Sequence, residues 1–354
     1  MSKHKFFSLT FLTLSAIVLL AGCGKSSTDS SSSAAFDKKE YLKESTSVLN
    51  DITLEEAAGI LEPQTVLDNH PTLSVPTYIT QIDGVWFIVD CYHDRVIYSE
   101  QLGLPIEDWK IMIGMTSQPH TIASDGKVYL LDDTENNRVI VFEKAEGKFI
   151  ATQYFEDIGV RPHYTVYDEN TSTFYVWSSE NGEMYLFRHP EDSTKMYLTE
   201  IRKIDELSDL YVRSFTIIGD EILFVSGVSK DGTPGTVLKC DLNTFKVKKS
   251  YTVPDELAGM VQITPIDDMF YITTSTDLYG NQDYATIVRT SSLEELSDGK
   301  YEDIYADYFV GGGTPYYISQ VGDTYYLTEH RLPGHSIWSF KVKDGSVTDV
   351  TALY

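Results

Sequence analysis

Short runs of hydrophobic residues, rich in β-branched and aromatic side chains, recur along most of the chain. Residues 118–142 show the pattern most clearly, with a short run, an Asp125-Gly126 turn, a second run, a polar loop and a third run. Runs of this length that end at turn residues predict β-strands joined as hairpins. Long stretches with helical periodicity are nearly absent. The pattern therefore predicts an all-β fold.

The strand pattern repeats along the chain with a regular period. The second run of each repeat begins at Val85, Val128, Phe174, Ile222, Met269 and Thr324. Successive starts are separated by 43, 46, 48, 47 and 55 residues. Periods of about 40–50 residues with several short strands each are typical of propeller blades. We therefore predict a six-bladed β-propeller with four-stranded antiparallel blades over residues 71–354.

Residues 1–22 have the composition of a signal peptide. Lys3 and Lys5 precede an apolar run over residues 6–20, which is short for a membrane span. The run leads into Leu-Ala-Gly-Cys at residues 20–23, which resembles the lipobox of bacterial lipoproteins. The resemblance implies that Cys23 carries a lipid, with acyl chains such as palmitate, on the extracytoplasmic face of the cell membrane. An ordinary secretory signal with a chance cysteine is the alternative.

Two segments separate the signal peptide from the repeats. The first, residues 23–45, begins with Cys23 and continues as a Ser-rich stretch, which predicts a flexible tether. The second, residues 46–70, contains Thr53 and Glu56 at the spacing of a capping box and predicts a short helix that Pro63 ends. We expect this helix to pack on the repeats and to carry no chemistry.

The composition limits the possible partners and cross-links. The formal net charge is −25, and such a surface repels nucleic acid, so we expect no nucleic-acid partner. Beyond Cys23, the chain has Cys91 and Cys240, which fall in different repeats. A framework of disulfides is therefore excluded.

Two repeats carry a more specific pattern. Residues 119–123 (Pro-His-Thr-Ile-Ala), 126–132 and 137–142 together resemble an NHL repeat, and the first repeat is similar over residues 89–90 and 94–98. The later repeats keep the hydrophobic pattern but lose its Asp and Arg.

Acidic and basic residues in these two repeats form candidate pairs, Asp132 with Arg138 and Asp90 with Arg95. Each could be a catalytic acid with its partner, but in NHL-like blades we expect the pairs to brace the loop between strands.

One face of the propeller is predicted to hold the functional residues. In antiparallel blades, the start of the first strand, the end of the second and the start of the third lie on one face, which we call the loop face. Long loops on a rigid scaffold commonly bind ligands. The candidate ligand-binding residues on this face are His93, His120, His163, Tyr164, Tyr316, Glu329, His330, Arg331 and His335. The five histidines come from blades 6, 1, 2 and 3, which are contiguous around the ring.

Two of these histidines are candidate metal ligands. His120 and His163 each follow a proline at the start of a first strand, which resembles the lyase domain of peptide-amidating enzymes, where successive Pro-His pairs supply zinc ligands. The equivalent positions in the other blades are Thr77, Ser214, Val261 and Tyr316. A zinc site is therefore one hypothesis, and hydrogen-bonded histidines that line a wet channel are the other. Calcium at residues 132–136 is a further hypothesis, although the calcium-loop spacing is missing.

Three functions are compatible with these observations. The first is a lipid-anchored binding protein that takes a small molecule, glycan or peptide on its loop face. The second is a metal-dependent lyase or hydrolase that uses His120 and His163. The third is a scaffold that docks another envelope protein. The sequence contains no phosphate-binding glycine loop and no complete nucleophile elbow, so the motifs favour binding and leave open whether the protein is an enzyme.

Overall fold

A computed structural model describes residues 41–68, 70–227 and 233–354. The predicted signal peptide, Cys23 and the tether up to residue 40 lie outside the described residues.

Two short strands, a helix and a 3-10 turn precede the first blade. They are β1 (Lys43–Glu44), β2 (Thr46–Ser47), α1 (Leu54–Ile60) and the turn Val66–Asp68. The predicted capping box of α1 is present, because Oγ1 of Thr53 accepts from the amide of Glu56 at 3.1 Å and the Glu56 carboxylate accepts from the amide of Thr53 at 2.8 Å. Lys148 donates to the carbonyl oxygens of Ala58 and Leu61 at 2.7 and 2.8 Å. The helix is therefore bonded to the second blade.

Six antiparallel sheets follow one another along the chain and form the ring of the propeller. The strands of blades 1, 2 and 3, from the innermost outwards, are β3 (Pro76–Ile82), β4 (Val85–Asp90), β5 (Arg95–Ser99), β6 (Lys110–Ile113), β7 (Ile122–Ser124), β8 (Val128–Asp133), β9 (Arg138–Ala145), β10 (Lys148–Phe155), β11 (Pro162–Asp168), β12 (Thr173–Ser178), β13 (Glu183–Arg188) and β14 (Tyr197–Lys203).

Blades 4, 5 and 6 have the same order. Their strands are β15 (Val212–Ile218), β16 (Glu221–Ser226), β17 (Thr236–Asp241), β18 (Val247–Thr252), β19 (Met260–Ile266), β20 (Met269–Thr274), β21 (Thr286–Thr290), β22 (Glu302–Asp303), β23 (Thr314–Val321), β24 (Thr324–His330), β25 (Ile337–Lys343) and β26 (Ser346–Ala352). The predicted repeat is confirmed. Second strands begin at the predicted residue in four blades and one residue earlier, at Thr173 and Glu221, in the other two.

Two further helices lie beside the outer strand of blade 5. They are α2 (Leu293–Ser297) and α3 (Tyr305–Tyr308), and they flank the two-residue strand β22. Among the described residues, no helix has both the length and the apolar character needed to cross a membrane.

The segment before the first blade differs from the prediction at residues 43–47. Residues 43–44 lie in the predicted tether, but as β1 they pair with β14. Residues 46–47 fall in the predicted helical segment, but as β2 they pair with β10. The outer edges of blades 2 and 3 thus gain a fifth strand. Unpaired amides and carbonyls on an edge strand accept any extended chain that runs alongside, and this pairing leaves no periodic signal in so short a stretch.

Hydrophobic side chains between neighbouring blades form the core. Between blades 1 and 2, for example, the rings of Phe87, Tyr129 and Phe149 are buried, with centroids 5.1 to 5.7 Å apart. Edge-on and tilted packing of this kind stabilises aromatic clusters beyond the area that they bury.

The ring closes between blade 6 and blade 1 without exchange of a strand. Oγ1 of Thr328 donates to the carbonyl oxygen of Thr77 at 2.8 Å, and the rings of Trp86 and Tyr326 lie 5.1 Å apart. At the end of the chain, the hydroxyl of Tyr354 accepts from the amide of Gly103 at 2.8 Å. Hydrogen bonds and apolar packing therefore hold the seam between these two blades.

Candidate functional site

The loop between the second and third strands of blade 1 is braced by a buried ion pair. Asp90 ends β4 and Arg95 begins β5, and Nη2 of Arg95 lies 2.7 Å from Oδ2 of Asp90. The other carboxylate oxygen of Asp90 accepts a 2.6 Å hydrogen bond from the amide of Ser74, just before the first strand. The pair therefore holds two connections of the loop face together, as expected for a structural brace.

In blade 2 the brace uses Asp133, and the predicted partner Asp132 was wrong. Arg138 forms its ion pair with Asp133, which also accepts a 2.6 Å hydrogen bond from the amide of Ser117. Neighbouring residues of a strand point to opposite faces, so an error of one residue changes the partner. The separation of Asp133 and Arg138 matches that of Asp90 and Arg95, which is the signal that would have identified the pair.

Asp132 instead anchors the start of the innermost strand. Its buried carboxylate accepts hydrogen bonds from the amides of His120 at 2.8 Å and Thr121 at 3.1 Å. The hydroxyl of Thr165, in blade 3, donates to it at 3.1 Å. Burial raises the pKa of Asp132 to about 6, although these hydrogen bonds favour the charged form. Asp132 therefore positions His120 and links blades 2 and 3.

His120 and His163 lie together in the interior. Their rings are stacked with centroids 3.7 Å apart, and the side chains are 5% and 0% exposed. Nδ1 of His120 lies 2.8 Å from the hydroxyl of Thr134. Nδ1 of His163 lies 3.0 Å from the hydroxyl of Tyr317 and 3.1 Å from the carbonyl oxygen of Arg213. The pair is therefore fitted into a hydrogen-bonded network.

Both imidazoles of this pair are held neutral. Burial, assisted by the charge of Arg161, lowers the pKa of His120 to about 3. Burial and the adjoining His120 and Arg213 lower the pKa of His163 well below its ordinary value. The remaining nitrogen of His163, Nε2, faces the hydroxyls of Tyr211 and Tyr316 at 3.2 and 3.4 Å. Neutral imidazoles can donate and accept hydrogen bonds at this position.

The two candidate zinc ligands, His120 and His163, lie together, but no third candidate ligand joins them among the described residues. Within the described residues, no group of three or more His, Cys, Asp and Glu side chains comes close enough to hold a metal ion. Nε2 of His120 faces Sγ of Cys91 at 3.9 Å, and burial raises the pKa of the Cys91 thiol. At the candidate calcium run, Asp132 and Asp133 point to the separate partners described above.

The charges of two arginines, Arg213 and Arg331, act on His330. Arg213 belongs to β15, and its guanidinium lies 4.8 Å from the centroid of the Tyr211 ring. Arg331 follows His330 and donates to the carbonyl oxygen of Gln282 at 3.0 Å. Burial and the charges of these two arginines lower the pKa of His330 to about 4. Nδ1 of His330 is buried and has no hydrogen-bond partner among the described residues.

A cavity of about 660 Å³ opens at the seam between blades 6 and 1. His330 and Arg331 line it, together with residues 71–75, which lead into β3, residues 332–334 and Ser336 from the β24–β25 loop, Ile106, Glu107 and Tyr354. Its walls combine apolar side chains with a few polar groups, which is typical of small-molecule sites. Two of the residues predicted from the sequence therefore reach the cavity.

Tyr164 lies elsewhere and belongs to the opposite end of the central channel. It lines a smaller cavity of about 360 Å³ with the ends of the innermost strands. Its hydroxyl accepts a 2.9 Å hydrogen bond from Nε2 of Gln262, and its ring packs on Phe215 and Tyr317 at 5.4 and 4.9 Å. These contacts hold the Tyr164 ring among the innermost strands, away from the loop face.

The other predicted residues support their neighbours. Nδ1 of His93 lies 2.8 Å from the Asp90 carboxylate, so His93 extends the brace. Glu329 is buried, accepts from the hydroxyl of Tyr305 and from Nε1 of Trp338 at 3.0 Å, and has its pKa raised by burial. His335 is half-buried and stacks on Trp338, with centroids 5.2 Å apart. Tyr316 is buried beside His163.

Sequence reasoning missed a set of exposed hydrophobic side chains on the loop face. Tyr279 and Met115 are 86% and 83% exposed. The exposed large hydrophobic residues on connections of this face are Tyr92, Met115, Val160, Tyr279, Tyr284 and Val310. Hydrophobic residues inside otherwise polar loops were the available signal. Arg213 and Tyr211 were also missed.

Comparison with known proteins identifies relatives of the fold. No family model matches the chain, and no curated protein matches it. A Bacteroides uniformis protein provisionally described as a 6-phosphogluconolactonase is similar, with a TM-score of 0.55, 14% identity and coverage of 79% of this chain and 86% of that one. A streptogramin B lyase is similar, with a TM-score of 0.51, 15% identity and coverage of 81% and 85%.

A third similar structure is hydrazine synthase from Kuenenia stuttgartiensis, with a TM-score of 0.54, 14% identity and coverage of 76% of this chain and 77% of that one. At such low identity, these three similarities show the propeller fold alone.

Proposed function

We propose that this protein is a lipid-anchored, extracytoplasmic β-propeller that binds a small molecule, glycan or peptide on its loop face. The cavity at the seam of blades 6 and 1 carries this proposal. Its volume of about 660 Å³ suits a small ligand. Beside it, the buried Nδ1 of His330 has no partner among the described residues, and such a group costs free energy unless something pairs with it.

The exposed hydrophobic side chains of the loop face support the same proposal. Tyr92, Tyr279 and Tyr284 present rings to solvent from connections of blades 1 and 5. Tyrosine combines a large apolar contact area with a polar hydroxyl and loses little conformational entropy on binding. These residues would contact the part of a glycan or peptide that extends beyond the cavity.

A thermal-shift screen tests the binding site. Compounds that raise the melting temperature of the parent protein bind its native state. Ser336→Tyr would fill the cavity, whereas Ser346→Tyr places the same side chain at the exposed start of β26. We expect hits to stabilise the parent and Ser346→Tyr but not Ser336→Tyr. Hits that stabilise all three proteins equally, or a screen of small molecules, glycans and peptides without hits, would contradict the proposal.

The anchor rests on the lipobox-like residues 20–23. Cys23→Ala should move the protein from the membrane fraction to the soluble fraction without changing its melting temperature, because a Ser-rich segment separates Cys23 from the blades. Variant protein that still sediments with membranes after a salt wash would disprove the lipid attachment.

The metal-dependent alternative remains a prediction. A streptogramin B lyase has a similar fold, and His120 and His163 are adjacent here, but a zinc site commonly needs three or four protein ligands. Elemental analysis of purified protein tests it. Stoichiometric zinc that His120→Ala removes would favour the enzyme over the binding protein.

A further inference from the structure

The loop face of blade 5 carries hydrophobic side chains that the interior of the fold does not use. Tyr279 is 86% exposed and Tyr284 is 49% exposed, and both belong to the loop between β20 and β21. Val310, in the connection from α3 to β23, is 65% exposed. Exposed hydrophobic side chains with polar residues around them commonly mark sites of interaction with another protein. This part of the loop face is therefore a candidate docking surface.

A small cavity of about 260 Å³ joins the two segments that carry these side chains. Tyr284 lines it from the β20–β21 loop, and Gly311, the residue after Val310, lines it from the connection to blade 6. This volume lies below the usual range of pockets that enclose a whole ligand. The cavity has room for one long side chain of a partner, whose neighbouring residues would meet the exposed hydrophobic side chains.

The walls of this cavity are acidic and aromatic. They include three carboxylates and three tyrosines, namely Glu256, Asp283, Asp303, Tyr284, Tyr301 and Tyr305. Among the described residues, no lysine, arginine or histidine lines the cavity, and none of the three carboxylates forms an ion pair. Arg331 donates to the carbonyl oxygen of Gln282 in the adjoining loop at 3.0 Å, but it does not line the cavity. A cationic group would therefore meet negative charge that no described residue neutralises.

Neutral donors hold two of these carboxylates in place. The hydroxyl of Tyr301 donates to Glu256 at 2.7 Å. Asp303 accepts from the hydroxyl of Thr286 at 2.8 Å and from the amide of Tyr305 at 3.0 Å. Such bonds orient a carboxylate without cancelling its charge, and its second oxygen and further lone pairs can still accept. The acidic wall is therefore preorganised for a cation, which lowers the cost of binding.

Charge and shape favour a basic side chain at this cavity over a neutral or acidic one. Carboxylates form short, charge-assisted hydrogen bonds with guanidinium and ammonium groups, and tyrosine rings attract cations. The net charge of −25 attracts any basic partner over a longer range. The cavity adds a fixed position for one cation beside apolar contacts, which a general attraction does not provide.

We propose that the loop face of blade 5 docks a basic segment of a partner protein, which places one arginine or lysine side chain in the cavity and apolar residues against Tyr279 and Val310. This inference goes beyond the ligand of the cavity at the seam of blades 6 and 1, because no described residue lines both cavities. The two sites can therefore be tested separately.

Isothermal titration calorimetry with two synthetic peptides tests the docking surface. The first peptide alternates leucine and arginine and has blocked ends, and the second replaces each arginine with citrulline, which keeps the shape and removes the charge. At physiological ionic strength, where distant charges are screened, we expect the arginine peptide to bind saturably and the citrulline peptide not to bind. Glu256→Gln with Asp283→Asn should weaken binding of the arginine peptide about tenfold or more, the typical value of a hydrogen bond to a charged group.

Glu169→Gln with Asp192→Asn is the matched control, because it removes the same charge from exposed residues on the opposite face. This variant and Ser336→Tyr should bind the arginine peptide as the parent does. Equal binding of the two peptides, equal weakening by the two charge variants, or no saturable binding would each overturn the inference. Binding that Ser336→Tyr abolishes would place the peptide in the cavity at the seam, so that the proposed function stands and the docking surface does not.

Discussion

Two pairs of side chains on the loop face show how similar residues come to serve different purposes. His120 and His163 are buried, stacked and bonded to Thr134 and Tyr317. His330 and Arg331 line the cavity, and Nδ1 of His330 has no partner among the described residues. Polar atoms that the protein already satisfies support the fold, whereas unsatisfied ones beside a cavity are available to a ligand. The difference therefore lies in hydrogen bonding and not in residue type.

The largest expected effect on stability comes from removing the buried side chains of His120 and His163. His120→Ala with His163→Ala should lower the free energy of unfolding by about 1–3 kcal/mol for each histidine, because Thr134 and Tyr317 lose buried partners. Urea unfolding at neutral pH measures the change. His330→Ala with His335→Ala is the control and should cost much less. A double variant at residues 120 and 163 as stable as the parent would show that this pair does not support the fold.

The next largest effect is on the pH dependence of stability, and it comes from Asp132, whose carboxylate positions His120. The pKa of Asp132 is raised to about 6 in the folded protein, above its ordinary value of about 3.9, so the folded state binds this proton more tightly. Its contribution to stability is therefore present at low pH and is lost as pH rises from about 4 through 6.

Asp132→Asn should remove this dependence. Relative to the parent, the variant should gain roughly 3 kcal/mol between pH 4 and pH 7, at 1.36 kcal/mol per pKa unit. Urea unfolding at both pH values gives the difference, with the exposed Asp192→Asn as control. A stability difference that stays constant with pH would mean that Asp132 is charged throughout this range.

Glu329 precedes His330 in the sequence, and a variant of its hydrogen-bond donor tests whether it also belongs to the ligand-binding site. Tyr305→Phe removes one of the two side-chain donors to the buried Glu329 carboxylate. We expect a loss of about 1–3 kcal/mol in unfolding free energy and no change in the response to screening hits. Loss of ligand stabilisation in a variant that remains folded would place Glu329 in the site.

The smallest effect on stability is expected at the cavity. His330→Ala should change the free energy of unfolding by less than about 1 kcal/mol, since Nδ1 of His330 has no partner among the described residues and the residue lines a cavity. The same variant should reduce the thermal shift produced by the screening hits. If instead it unfolds as readily as the double variant of the buried pair, the two regions do not differ as we describe.

Local patterns account for the part of this architecture that could be predicted. The run that begins at Val85 or Val128 is a strand because of its own residues and its turn, and Thr53 with Glu56 begins a helix within four residues. The regular spacing of such runs then predicts six blades, since each blade is a unit that only its neighbours complete.

The hydrogen-bond and ion-pair partners of individual side chains could not be predicted from local patterns. His163 meets Tyr317, and Arg213 acts on His330, across more than a hundred positions of sequence. Asp133 rather than Asp132 pairs with Arg138, because one step along a strand reverses the side chain. Tyr164 lines the cavity at the opposite end of the channel. The sequence therefore determined which residues form blades and which face carries the loops. Burial and pairing across the ring determined which polar groups remain open to a ligand, because those depend on contacts that no local pattern encodes.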